Sequence, residues 1–132
     1  MAKRELTFKG KSEEDLRAMD LNEFAKIITS RPRRSLKRGF TEQQKKLLLR
    51  VKKFNEGKSK KPIKTHCRDI VVIPDMLGQN FLVHSGKDWV SVTVTYEMLG
   101  RYLGEFAMTR RKVEHSAPGI GATKSSGSMS VK

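Results

Sequence analysis

Apolar residues recur along this chain at two periods. Over residues 20–29, Leu21, Phe24, Ile27 and Ile28 fall on one helical face. Asp20 with Glu23 three residues on resembles a capping box, and Met19 with Phe24 suits a hydrophobic staple. The pattern predicts a short amphipathic helix there, preceded by a helical turn starting at Ser12–Asp15 and stopped by Pro32. A second capping pair, Thr41 and Gln44, opens another helix. Leu47, Leu48, Val51 and Phe54 form its apolar face, and Gly57 suits its C-terminal cap. Lys45, Lys46, Arg50, Lys52 and Lys53 line the opposite face.

The second half changes to period two. Val90, Val92 and Val94 alternate with Ser91, Thr93 and Thr95, the signature of a half-buried strand. Phe81–His84 precedes it across Ser85-Gly86-Lys87-Asp88, a turn composition. Asp69–Ile73 is a short β-branched run broken by Pro74, and completes a small antiparallel sheet. Thr95 is placed to cap a short helix through Leu99, with Gly100 and Gly104 limiting its length or allowing close packing. From Ala117 the chain is rich in Gly and Ser, the composition of a flexible tail. The fold class expected is α+β: a small antiparallel sheet packed with short helices, a basic N-terminal arm and a flexible C-terminal tail. Residues 1–30 form an N-terminal extension with the short amphipathic helix, 31–116 the α+β domain and 117–132 the tail.

Length and composition set the scale. The chain has 132 residues, a normal length for one domain, and a hydrophobic content of 36%, so the core must be small. Charge changes the picture most. Of the net +14, residues 31–68 carry +13, from 15 basic and two acidic residues. A generally solvated surface would not concentrate charge in this way. Self-repulsion on this scale is relieved by a polyanion, nucleic acid first and an anionic membrane second. The run at 31–38 has three readings: a solvated linker, a nuclear-import-like patch, or an arm along phosphates. The adjoining basic helix and the following loop (Lys58, Lys60, Lys61, Lys64, Arg68) favour the arm. Pro32 and Gly39 would keep it extended. Arg110, Arg111 and Lys112, followed by His115, form a smaller cluster that reads equally as ordinary charged surface.

Other chemistry finds little support. Cys67 is the single cysteine and the histidines (66, 84, 115) are scattered, so neither an intrachain disulfide nor a cysteine-based zinc site is expected. No apolar run approaches the roughly 18 residues of a membrane span, and the N-terminal residues lack the apolar stretch of a secretory signal. Around Lys124-Ser125, Thr123 and Pro118 stand where a phosphate-binding loop needs glycines. Asp75, Glu97 and Glu105 are scattered, and the neighbours His84 and Ser85 define no base–nucleophile geometry. Trp89 reads as packing, with base stacking as the alternative.

Several ordered blocks together resemble one family. They are RRSLKRGF (33–40), KKPIKT (60–65), PDMLG (74–78), VHSGK (83–87) and EMLGRYLGEFAMTR (97–110). This set is similar to the S-nineteen family of small-subunit ribosomal proteins, called S-fifteen in eukaryotic naming, over about Arg33 to His115. The helix containing LNEFAKII and the tail PGIGATKSS resemble the archaeal and eukaryotic branch. Met108, where bacterial relatives usually have Pro, and His66-Cys67, where Trp-Ser is typical, read as branch differences.

The resemblance implies a non-enzymatic, cytoplasmic component of the small-subunit head, without cofactor or metal. It implies binding to the 3′ domain of small-subunit rRNA, ribosomal protein thirteen as a neighbour, no membrane, and a tail directed towards the decoding region and tRNA. Expected RNA-binding residues are Arg33, Arg34, Ser35, Lys37 and Arg38 in the arm, then Lys60, Lys61, Lys64, Thr65 and Arg68 in the loop. His84 and Lys87 at the hairpin tip and Arg110, Arg111, Lys112 and His115 before the tail complete the set. The rival reading is a free-standing basic nucleic-acid-binding protein, which would hold duplex DNA as tightly as rRNA.

The tail's composition generates one expectation. Removing residues 117–132 should leave the melting temperature of the free protein unchanged, because the segment offers almost nothing to a core. A large loss measured by thermal unfolding would contradict it.

Overall fold

Four helices occupy the first half of the chain. The computed structural model describes residues 7–59 and 61–114, together with positions 119 and 124. Helix α1 (Glu13–Ala18) carries a reciprocal capping box between Ser12 and Asp15. The Ser12 hydroxyl hydrogen bond holds the Asp15 carboxyl below its ordinary range. Helix α2 (Leu21–Ile27) starts at Asp20, whose carboxylate accepts from the Leu21 amide at 2.8 Å. Helix α3 spans Ser30–Arg38 and α4 spans Glu42–Asn55. The predicted box on α4 is present: the Thr41 amide donates to Gln44 Oε1 at 3.1 Å, and the Gln44 amide to Thr41 Oγ1 at 3.4 Å. Gly57 follows in the left-handed region at φ +72°.

Helix α3 corrects the expectation of an extended arm at 31–38. Pro32 stands in its first turn, where amides have no intrahelical acceptor and the fixed φ of proline already suits a helix. Repulsion between like charges one turn apart costs a few tenths of a kcal/mol per pair. Tertiary contacts offset it. Pro32 is buried, and Leu36 packs on the core. Arg33 donates from Nε to the Ala25 carbonyl at 2.9 Å and from Nη2 to the Ile28 carbonyl at 2.9 Å. These are carbonyls at the C-terminal end of α2, which need outside donors. Gly39, at φ +88°, ends the helix.

The sheet has the order β1-β2-β3, with β1 Ile63–Thr65, β2 Asn80–His84 and β3 Trp89–Thr93. The predicted hairpin is β2–β3, antiparallel, with His84 opposite Trp89 and Asn80 opposite Thr93. Strand β1 runs parallel to β2, pairing Ile63 with Phe81, so the sheet is mixed rather than antiparallel throughout. The long connection 66–79 gives room for the crossover that a parallel pair requires. It also contains Asp69–Ile73, which is not a ladder strand. There Val71 forms an isolated bridge with Tyr102, and the Val72 amide donates to the Arg101 carbonyl at 2.8 Å. Ile70, Val71, Val72 and Ile73 are all buried, so the run lacks the alternation of a half-exposed strand. Where one helix was expected after Thr95, two 3-10 turns form, Tyr96–Met98 and Leu103–Phe106, with Gly100 between them at φ +73°.

One core joins these parts. Leu16, Phe24 and Ile28 from the first two helices meet Leu47 and Val51 of α4, Phe81, Val83 and Val92 of the sheet, and Leu99 and Leu103. The Tyr96 hydroxyl donates to the Glu13 carboxylate, which raises the phenol above its ordinary range and ties α1 to the second half of the chain.

Gly104 lies against the backbone of Arg68, and its amide donates to the Arg68 carbonyl at 2.9 Å. A Cβ there would stand 2.8 Å from that carbonyl oxygen. Gly104→Ala is therefore expected to cost about 1–3 kcal/mol as overpacking. The urea midpoint should fall with an unchanged m-value; a wild-type midpoint would mean the two segments separate freely.

Candidate nucleic-acid interface

Helix α3 sorts its charge by face. Pro32 and Leu36 turn inward, while Arg31, Arg34, Lys37 and Arg38 are exposed. Arg31, Arg34 and Arg38 recur at helical spacing along one ridge. Among the described residues, no carboxylate lies within ion-pair distance of these four cations. Below the ridge a cavity of about 730 Å³ separates α3 from the start of α4, with Arg31, Arg38, Gln44, Asp69 and Tyr102 in its walls.

The basic surface continues across α4. Lys46 and Arg50 border a groove of about 340 Å³ whose far wall is Lys64 and His66. Arg50 also donates to the Lys64 carbonyl at 3.4 Å, joining helix to strand. A neighbouring groove is bordered by Arg50, Lys53, Lys61 and Lys64. The exposed basic face of α4 and Lys61 and Lys64 thus border common grooves, and α3 presents its own exposed cations beside the start of α4.

Four of the residues expected at the interface are engaged inside the fold. Arg33 caps α2, as described. The Ser35 hydroxyl lies 2.7 Å from the Tyr102 hydroxyl. Thr65 is buried, and its hydroxyl accepts from the Cys67 amide at 3.0 Å. Arg68 is half-buried and donates to the His84 carbonyl at 2.8 Å and to the Gly104 and Ala107 carbonyls at 2.6 Å each. The donor fork of a guanidinium suits such a three-way bridge; an ammonium group does not present the same geometry.

At the hairpin, the Gly86 amide donates to His84 Nδ1 at 3.2 Å, and Lys87 is exposed. Behind the turn the rings of His66, His84 and Trp89 cluster, with centroids 4.5–4.9 Å apart. Arg110, Arg111 and Lys112 are exposed, and Arg111 pairs with Asp88 of the hairpin turn at 3.0 Å. Lys60, His115 and the tail from 117, apart from positions 119 and 124, lie outside the described residues. Among the described residues, no cluster of three or more His, Cys, Asp or Glu could hold a metal ion, and no helix is long and apolar enough to cross a membrane.

Arg31, His66 and the α4 cations Lys46, Arg50 and Lys53 belong to this surface but were not among the expected site residues. Arg31 shares the ridge with Arg34 and Arg38, a spacing legible only once 31–38 is read as a helix. His66 joins His84 because the parallel register places Lys64 beside Leu82, and the next outward position on each strand follows.

Comparison with known proteins gives the family. The sequence model of the family described as Ribosomal protein S19 matches residues 34–115. A small ribosomal subunit protein uS19 from Saccharolobus solfataricus is 49% identical over 126 residues, covering 95% of this chain and 90% of the relative. With that family match spanning α3 through the cluster after Phe106, the chain belongs to the ribosomal protein S19 family.

Proposed function

We propose that this protein is a structural, non-enzymatic constituent of the small ribosomal subunit that binds the 3′ domain of the small-subunit rRNA in the subunit head. The observation that carries the reading is the ridge of Arg31, Arg34, Lys37 and Arg38, exposed and without carboxylate partners among the described residues. Phosphates supply the missing counter-charge, through forked hydrogen bonds to Arg and point contacts to Lys.

Lys61, Lys64 and Lys87 extend the contact along the grooves and hairpin, with Arg110, Arg111 and Lys112 leading the chain onward. Lys60 and His115 belong to the same proposal by their place in the sequence. Arg33, Ser35, Thr65 and Arg68 act by shaping the surface, through the contacts each makes inside the fold. A-form RNA offers phosphates, 2′-hydroxyls and shape more than readable base edges, so recognition is by RNA shape. Ribosomal protein thirteen as neighbour, a tail reaching towards the tRNAs and a cytoplasmic location complete the proposal, as what family membership implies.

Salt dependence tests it. Binding of the full chain to a transcript of the 3′ domain should weaken linearly on a log–log salt plot. Replacing Arg34, Lys37 and Arg38 together by Ala should flatten the slope by about two units, at roughly 0.7–0.9 per phosphate. An unchanged slope would remove α3 from the RNA. Equal affinity for duplex DNA would instead favour a free-standing nucleic-acid binder.

Arg33→Ala should behave differently. It is expected to lower stability by about 1–3 kcal/mol, since α2 loses its donors. Its salt slope should shift by less than that of the triple variant. A large slope change with unchanged melting would place Arg33 on phosphate instead.

A further inference from the structure

Strand alternation gathers a set of outward-facing groups on the open side of the sheet. Lys64 and His66 come from β1 and its extension, Leu82 and His84 from β2, and Trp89 and Ser91 from β3. The opposite positions, Ile63, Phe81, Val83 and Val92, are in the core. The outward rings are not needed to fill it. His66 is exposed, and Trp89 keeps 39% of its surface accessible. The two histidine rings lie 4.5 Å apart and tilted by 39°, and each meets Trp89 edge-on at 4.9 Å. Lys64 Nζ stands 5.6 Å from the Trp89 ring centre, within cation–π reach.

We infer that the His66–Trp89 surface is a stacking site for an unpaired nucleobase of RNA, a contact distinct from the phosphate ridge of α3. The inference rests on the RNA-binding reading above and adds to it the kind of RNA element recognised here. Charge complementarity selects the occupant. Lys64 covers one side of the cluster, Lys61 and Arg50 border the adjoining groove, and Lys87 extends from the hairpin. A stacked base brings its own phosphates, which these cations would hold. An apolar protein segment would bury them without partners. Aromatic side chains on an open sheet face are suited to bases splayed from single strands, loops or bulges. A duplex keeps its bases stacked on one another and offers none.

Trp89 is the only tryptophan of the chain, so its fluorescence reports on this surface alone. The full-length protein would be titrated with a transcript of the 3′ domain and, separately, with inorganic polyphosphate, which carries charge but no bases. The transcript should quench Trp89 emission; polyphosphate should compete with the transcript and leave emission unchanged. Trp89→Ala should weaken transcript binding roughly 5- to 150-fold, the range for losing one stacked base. Trp89→Phe should retain most of the affinity. If the alanine variant fails to fold, the wild-type titration and His66→Ala decide the matter, with His66→Ala expected to reduce the quench.

Binding of the transcript without any change in emission would overturn the stacking site and leave the phosphate interface standing. Quenching by polyphosphate equal to that by the transcript would overturn it too, by assigning the signal to charge. No binding of the transcript at all would overturn the RNA-binding reading together with this one. Emission that moves only in the assembled subunit would assign the face to a protein neighbour and overturn the proposal.

Discussion

The arrangement depends on one side chain, Arg68. Its guanidinium reaches the last carbonyl of β2 and two carbonyls of the segment after Leu103, while its own carbonyl accepts from Gly104. Three stretches distant in sequence are held at fixed separations by one group. Hydrogen bonds from a charged donor are stronger than neutral ones, and a half-buried site screens them less than bulk water would. The approach requires glycine at 104, because a side chain there would push the fork away from its acceptors. With Arg68 in place, the segment leading to Arg110–Lys112 runs beside the hairpin, and Arg111 meets Asp88.

The second constraint is electrostatic. A chain with +13 between residues 31 and 68 must fold despite repulsion. It does so by spending a few cations inside and spreading the rest outside. Arg33 and Arg68 donate to carbonyls at the end of α2, at the end of β2 and in the segment after Leu103. Arg31, Arg34, Lys37 and Arg38 on α3, Lys46, Arg50 and Lys53 on α4, and Lys61 and Lys64 lie exposed, where water screens them. Folding therefore uses a few of the basic residues of this segment and leaves the others exposed. Membership of the ribosomal protein S19 family gives that surface its context.

Local signals in the sequence were read well where the determining contacts were themselves local. The helix start at Ser12, the capping box at Thr41, the β2–β3 hairpin and its turn, and the apolar face of α4 all depend on neighbours within four residues or across a tight turn. The box expected between Asp20 and Glu23 does not form, Asp20 accepting from the Leu21 amide instead. The basic run at 31–38 was misread because its helix relies on distant partners: the α2 carbonyls for Arg33, Tyr102 for Ser35 and the core for Leu36. Asp69–Ile73 carries β-branched residues, but Ile70 to Ile73 are all buried, so it lacks the alternation that marks a ladder strand. Strand β1 has only three residues in a lysine-rich stretch, too short for period two to register.

By itself, the sequence determined that the chain is α+β, that its charge is concentrated in one segment, and which family it resembles. Those properties follow from residue identity, short-range periodicity and ordered motifs. Only the tertiary structure decided which basic residues face outward. An arginine serves a carbonyl or a phosphate according to what packs beside it, and that neighbour comes from elsewhere in the chain. The same holds for His66, His84 and Trp89: a parallel crossover and a hairpin bring the three rings onto one face.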